Sequence, residues 1–168
     1  MSGKKITESA LELFIRANGD IKGINGYISD EDGFDENNKV YGAYHAQQMT
    51  EKLLKGYLRH YNKEPEWGHD LIKYFEDALL IDKSFEELKK EIHHLNIYNA
   101  VIKYTTEIDI DDIKFTQILI DIKKIYNFPA FQNIYNEFIK NNLCNKIDET
   151  RFDKMITNYN NIMKRDED

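Results

Sequence analysis

Residues 44–71 read YHAQQMTEKLLKGYLRHYNKEPEWGHDL, and the reading of this stretch decides the fold. Ala46, Met49, Leu53 and then Gly56 with Tyr57 recur at intervals of three or four positions, the period of a helix with one buried side. At about 100° per residue, His45, Gln48, Lys52, Lys55 and Arg59 fall on the other side, within an arc of about 80°. A half-buried strand needs strict alternation, and none is present. Pro65 and Gly68 interrupt the pattern, so a helix from about Asn37 to Tyr61 is expected, then a turn, then a new helix opening at His69 or Asp70.

The same period runs outward in both directions. Leu11, Phe14 and Ile15 begin a short first helix expected to end near Asn18 and Gly19. A loop from Gly19 to Glu36 follows, with glycines at 19, 23, 26 and 33 and the acidic run DEDGFDE. Asp30, Asp32 and Asp35 have the chemistry of calcium ligands, but an EF-hand loop needs glycine at its sixth position and Gly33 falls at the fourth; a solvated acidic loop is expected. Leu71, Phe75, Ala78 and Leu79 mark a third helix. Ser84 and Glu87 form a capping box for a fourth that carries Phe85, Leu88, Ile92 and Leu95 and reaches about Tyr104. Asp109 or Asp111 caps a fifth with Phe115, Ile118, Leu119, Ile122 and Ile125 inside, and Pro129 opens a sixth through Phe131, Ile134, Tyr135, Phe138 and Ile139. A last helix from about Glu149 buries Phe152, Met155, Ile156, Tyr159 and Met163. The expected fold is all-α: an up-and-down bundle of about five core helices with additional C-terminal helices, one domain over residues 1–168, with 129–168 as an extension.

Bulk properties narrow the function. No apolar run approaches the ~20 residues of a membrane span, and the N-terminus reaches Glu8 and Glu12 before any apolar block, so neither a membrane protein nor a secreted one is expected. A single cysteine, Cys144, supports neither an internal disulfide nor a thiolate cluster, which fits the cytoplasm. A net charge of −7 argues against coating nucleic acid over the whole surface and leaves room for a local basic patch. No metal and no cofactor are implied.

Two readings of the polar file stay open. Lys and Arg face water on any amphipathic helix, and Glu51 with Lys55 makes an i,i+4 pair worth ~0.3–0.5 kcal/mol. His45 and Gln48 instead make directed hydrogen bonds, to a phosphate, a base or a neighbouring helix. His69 sits at a helix start that Asp70 can cap, and Tyr61 and Trp67 flank the turn, where exposed aromatics can stack a base.

His45, Ala46, Gln47, Gln48, Glu51, Lys52 and Lys55, followed by His69, Asp70 and Leu71, resemble the HEPN family, the higher-eukaryote and prokaryote nucleotide-binding domains, best over residues 40–104. The resemblance implies an up-and-down helical bundle, often a homodimer, linked to nucleotides, RNA or a partner nucleotidyltransferase. Several branches are metal-independent ribonucleases marked by Arg, four to six residues, then His. This chain departs from that signature: its arginines are Arg16, Arg59, Arg151 and Arg165, and none has a histidine five to seven positions later. The family's Arg-Tyr-Pro element corresponds to Lys103-Tyr104-Thr105, which keeps the charge but loses the guanidinium fork.

The resulting expectation is a non-catalytic nucleotide- or RNA-binding module that uses His45, Gln48, Lys52, Lys55, Arg59, His69 and Lys103. One alternative is a divergent ribonuclease of a toxin–antitoxin or defence system, with His45 or His94 as acid or base. Another is a protein-interaction module without a ligand, for which the aromatic segment from Phe131 to Met163 is the motive.

Overall fold

The computed structural model describes residues 8–29, 34–100 and 113–166, and among them no strand occurs. Seven α-helices follow in order: α1 Ala10–Ser29, α2 Glu36–His60, α3 Leu71–Ile81, α4 Lys89–Asn96, α5 Phe115–Tyr126, α6 Pro129–Lys140 and α7 Glu149–Asp166. Short 3₁₀ segments, Lys83–Leu88 and Ile97–Ala100, flank α4. The fold is the expected all-α bundle. Helix α2 is its centre and touches α1, α3, α4, α5 and α6, while α7 closes over α1 and α5.

Three expectations are corrected. The first helix does not stop at Gly19; it continues to Ser29 as 20 residues. Each glycine costs a helix interior roughly 1 kcal/mol against alanine. That cost is outweighed because Leu13, Phe14, Ala17, Ile21, Ile24 and Ile28 form one unbroken buried seam along α2. Ser9 and Glu12 start this helix through a reciprocal capping box: Ser9 N donates to Glu12 Oε2 at 3.0 Å and Glu12 N donates to Ser9 Oγ at 3.1 Å. Second, Ser84 does not cap the segment after α3; Asp82 does, accepting from Ser84 N at 2.9 Å. Third, α4 ends at Asn96, and Phe85, Leu88, Ile92 and Leu95 are buried across a 3₁₀-to-α junction rather than along one helix. The expected continuation to Tyr104, the caps at Asp109 and Asp111, Lys103 with its neighbours, and Asp30, Asp32 and Gly33 lie outside the described residues.

Helix ends elsewhere obey local chemistry. Asp35 caps α2 through Asn38 N at 3.1 Å, and Asp70 caps α3 through Ile72 N at 3.0 Å. The stop of α2 comes earlier than Pro65: Asn62, at φ 59°, donates to Arg59 O at 3.0 Å, and Lys63 N reaches Leu58 O at 2.9 Å. This paired pattern satisfies the last carbonyls, with asparagine in the left-handed position that glycine more often fills. At Gly56 a Cβ would lie 2.6 Å from the Phe14 ring, so the missing side chain lets α1 and α2 approach closely.

The C-terminal helices are part of the same core. Phe131, Ile134, Tyr135, Phe152, Met155 and Tyr159 are buried in one cluster with Phe14, Ile21, Leu53 and Tyr57. Tyr126 Oη donates to Asn18 Oδ1 and accepts from Ile147 N, both at 2.8 Å, while Asn18 Nδ2 donates to Asn145 O at 2.8 Å. Tyr135 Oη donates to Phe14 O at 2.8 Å. Burial pushes the Tyr126 hydroxyl up to about 12 and that of Tyr135 well above its ordinary value.

Candidate functional site

The polar file of α2 is in place, but it is not a row of bare cations. His45 Nδ1 lies 2.9 Å from Asp20 Oδ1, and Lys52 Nζ donates to Asp20 Oδ2 at 2.6 Å. Asp20 comes from the part of α1 expected to be loop, and it is 6% exposed. Lys55 Nζ donates to Glu51 Oε1 at 2.7 Å and to Gly68 O at 3.0 Å. Glu51, 4% exposed, also faces His69 Nδ1 at 3.0 Å and accepts from Gln48 Nε2 at 3.3 Å. Arg59 donates to Glu8 O and to Glu64 Oε1, the latter at 2.9 Å. The file therefore knits α1, α2 and the turn before α3 together, and half of its charge belongs to the fold.

Several side chains make this possible. Gly23 stands beside the imidazole of His45, where even a Cβ would sit 3.6 Å from ring atoms; a larger side chain would displace the ring from Asp20. Tyr27 and Tyr44 pack on the same imidazole at ring-centroid distances of 5.8 and 5.7 Å. The turn is fastened by Gln47, whose Nε2 donates to His69 O at 3.2 Å, and by Tyr74, whose single hydroxyl proton is shared between Glu66 O, at 2.9 Å, and Gly68 O. Burial raises the Tyr74 hydroxyl to about 12, so it stays a donor. Gly68 adopts φ 132°, a conformation side chains resist, and this aims its carbonyl at Lys55 and Tyr74.

Between α1, α2 and this turn lies an open cleft of about 650 Å³. Gln48, Lys52, Lys55, Arg59 and His69 all line it, and His45 does not. Arg16 on α1 and Trp67 at the rim complete the wall, with Trp67 90% exposed. Its four permanent cations, Arg16, Lys52, Lys55 and Arg59, are matched by four carboxylates, Glu8, Glu51, Glu64 and Glu66. The pairings differ in kind. Lys52 and Lys55 are held by buried carboxylates, whereas Arg16 pairs with Glu8 and Arg59 with Glu64, whose side chains are 38% and 64% exposed. Arg59 Nε is buried with no hydrogen-bond partner among the described residues. The two arginines are thus the cations an incoming anion can recruit at least cost.

Sequence reasoning missed Asp20, because the helix was ended before it, and missed Arg16, because only the packing of α1 on α2 turns it toward the cleft. The remaining histidines behave as helix-packing groups. His93 is exposed and meets Phe75 edge-on; His94 Nδ1 lies 2.5 Å from Asp121 Oδ2, with the Tyr98 hydroxyl 3.3 Å from its Nε2. No group of three or more His, Cys, Asp or Glu among the described residues is arranged to hold a metal ion, and no described helix is long and apolar enough to cross a membrane.

An all-helical bundle with a polar, histidine-bearing cleft beside its central helix defines the class: an all-α domain with a charged cleft against its longest helix. The family model of the HEPN domain matches residues 29–133, more than half of the chain, and the protein belongs to that family. No curated protein and no solved structure matches the chain.

Proposed function

We propose that the protein is a non-catalytic HEPN module that binds a nucleotide or the end of a single-stranded RNA in the cleft between α1, α2 and the Pro65–Gly68 turn. The observation that carries this reading is the convergence of Arg16, Arg59 and His69 on one cleft that Trp67 rims. Arg16 and Arg59 exchange their exposed carboxylates for a phosphate, to which a guanidinium fork offers two parallel donors. His69, oriented by Glu51, and Gln48 supply directed hydrogen bonds, Lys52 and Lys55 supply field, and Trp67 offers a face for a base. His45 supports this wall from behind through Asp20. Lys103, carried over from the family resemblance, lies outside the described residues, and the active form is a homodimer or a complex with a nucleotidyltransferase.

Thermal-shift and equilibrium binding with mononucleotides at low salt tests the assignment. Arg16→Gln with Arg59→Gln is expected to weaken binding at least tenfold and to leave the melting temperature within a few degrees. Unchanged affinity in that double variant would overturn the cleft.

A further inference from the structure

Helix α7 carries a second polar file whose spacing repeats that of α2. Arg151, Lys154, Asn158, Asn161 and Arg165 are three, four, three and four residues apart and again share an arc of about 80°. The file is about 21 Å long at 1.5 Å per residue. It lines two hollows, of about 440 and 230 Å³, that run into each other along the seam between α7 and the end of α1, sharing Ser29 and Asn158. Asn25 and Ser29 form the opposite wall.

The two files differ in their partners. Among the described residues Arg151, Lys154 and Arg165 form no ion pair, and Asn158 and Asn161 donate no side-chain hydrogen bond. All five are exposed. Of the acids of α7, Asp153 is drawn to Lys123 on α5 at 2.7 Å. Asp148, at the head of the groove, accepts from Thr150 N and its hydroxyl at 2.8 Å, and these bonds, with the nearby charges of Lys154 and Arg151, hold its carboxyl below the ordinary value. A protein of net charge −7 thus keeps three cations in one line with amides between them, none in an ion pair among the described residues, with Asp148 as the acid at their head.

We infer that the α1–α7 groove is a separate binding surface for single-stranded RNA, with Arg151, Lys154 and Arg165 on phosphates and Asn158 and Asn161 on the sugar and base edges between them. The alternation of cation and amide fits a polymer that alternates phosphate with hydrogen-bonding groups, and the 2′-hydroxyl offers both a donor and an acceptor to an amide. An acidic peptide presents charge without that alternation. The surface lies on helix α7, beyond the residues the family model matches, and does not depend on the cleft.

The test is binding of a short fluorescein-labelled single-stranded oligouridylate to the full chain across a salt series, with a mononucleotide and polyglutamate measured in parallel. R151Q/K154Q/R165Q should lower oligouridylate affinity at least tenfold at low salt and flatten the slope of log K against log salt by about 2, at about 0.7 for each phosphate contact. N158A/N161A should weaken binding while leaving the slope unchanged. Mononucleotide binding should be unaffected in both variants, whereas R16Q/R59Q should do the reverse, so failure of the cleft and failure of the groove give different results. The three charges are exposed, and circular dichroism melts confirm that the variants stay folded. The inference is overturned if wild-type protein does not bind the oligonucleotide at low salt, if the triple variant keeps affinity and slope, or if polyglutamate binds as tightly as the oligouridylate.

Discussion

Helices α2 and α7 present polar files of identical spacing, and the structure treats them oppositely. On α2 the cations meet Asp20 and Glu51, both buried, and the file becomes part of the architecture. On α7 the same spacing faces solvent and a shallow groove, where Asp148 is an acid in the lining and no carboxylate among the described residues forms an ion pair with the file. Spacing alone therefore does not tell a binding ridge from an internal brace. What separates them is whether a buried carboxylate meets the file, from the neighbouring helix as with Asp20 or from the same helix as with Glu51, and that burial is set by packing between distant segments.

That contrast breaks most directly at Asp20. Removing one partner of a buried pair strands the other charge, so Asp20→Ala should cost on the order of 3 kcal/mol. Urea unfolding checks it, and a loss below about 1 kcal/mol would place the α2 file with ordinary surface pairs. Of intermediate size is an effect of pH. The raised Tyr126 hydroxyl keeps its proton in the folded state when the unfolded chain has begun to lose it, so the unfolded state binds fewer protons above pH 10. Stability from this group is complete below pH 10 and should fall between pH 10 and about 12, by about 1 kcal/mol for each pH unit crossed. Urea midpoints at the two ends of that window check this, and Tyr126→Phe should lose less across it than the parent. Smallest is the consequence of neutralising α7. Arg151 and Lys154 are like charges one turn apart, so R151Q/K154Q/R165Q should leave stability unchanged or raise it by a few tenths of a kcal/mol in the same unfolding assay.

How much was legible follows the same division. Helices α2, α3, α5, α6 and α7 could be read because each carries its own apolar seam and its own stop signal, as with Pro129 at the first turn of α6. Helix α1 could not be read past Gly19, because its glycines argue locally for a loop and only the contact with α2 outweighs them. The 3₁₀ start before α4 was hidden for a related reason: Phe85 and Leu88 are three apart, a spacing both helix types satisfy. At the site, sequence reading collected Gln48, Lys52, Lys55, Arg59 and His69, which the cleft brings together, since they share one helix face or the adjoining turn. It could not find Asp20 or Arg16, whose relation to α2 spans some tens of residues and no shared periodicity.

Tyr126 joins Asn18, near the start of the chain, to the backbone at Ile147, near its end. On a ribosome adding about 5–20 residues each second, α1 emerges several seconds before that partner exists. During the interval α1 can lean on α2 alone, with the Asn18 side chain and the Phe14 carbonyl still without the partners that α5, α6 and the segment after α6 provide. A chain stopped ahead of Tyr126 would therefore carry an open seam along α1, exposed to proteases and chaperones, and would not be a smaller working bundle.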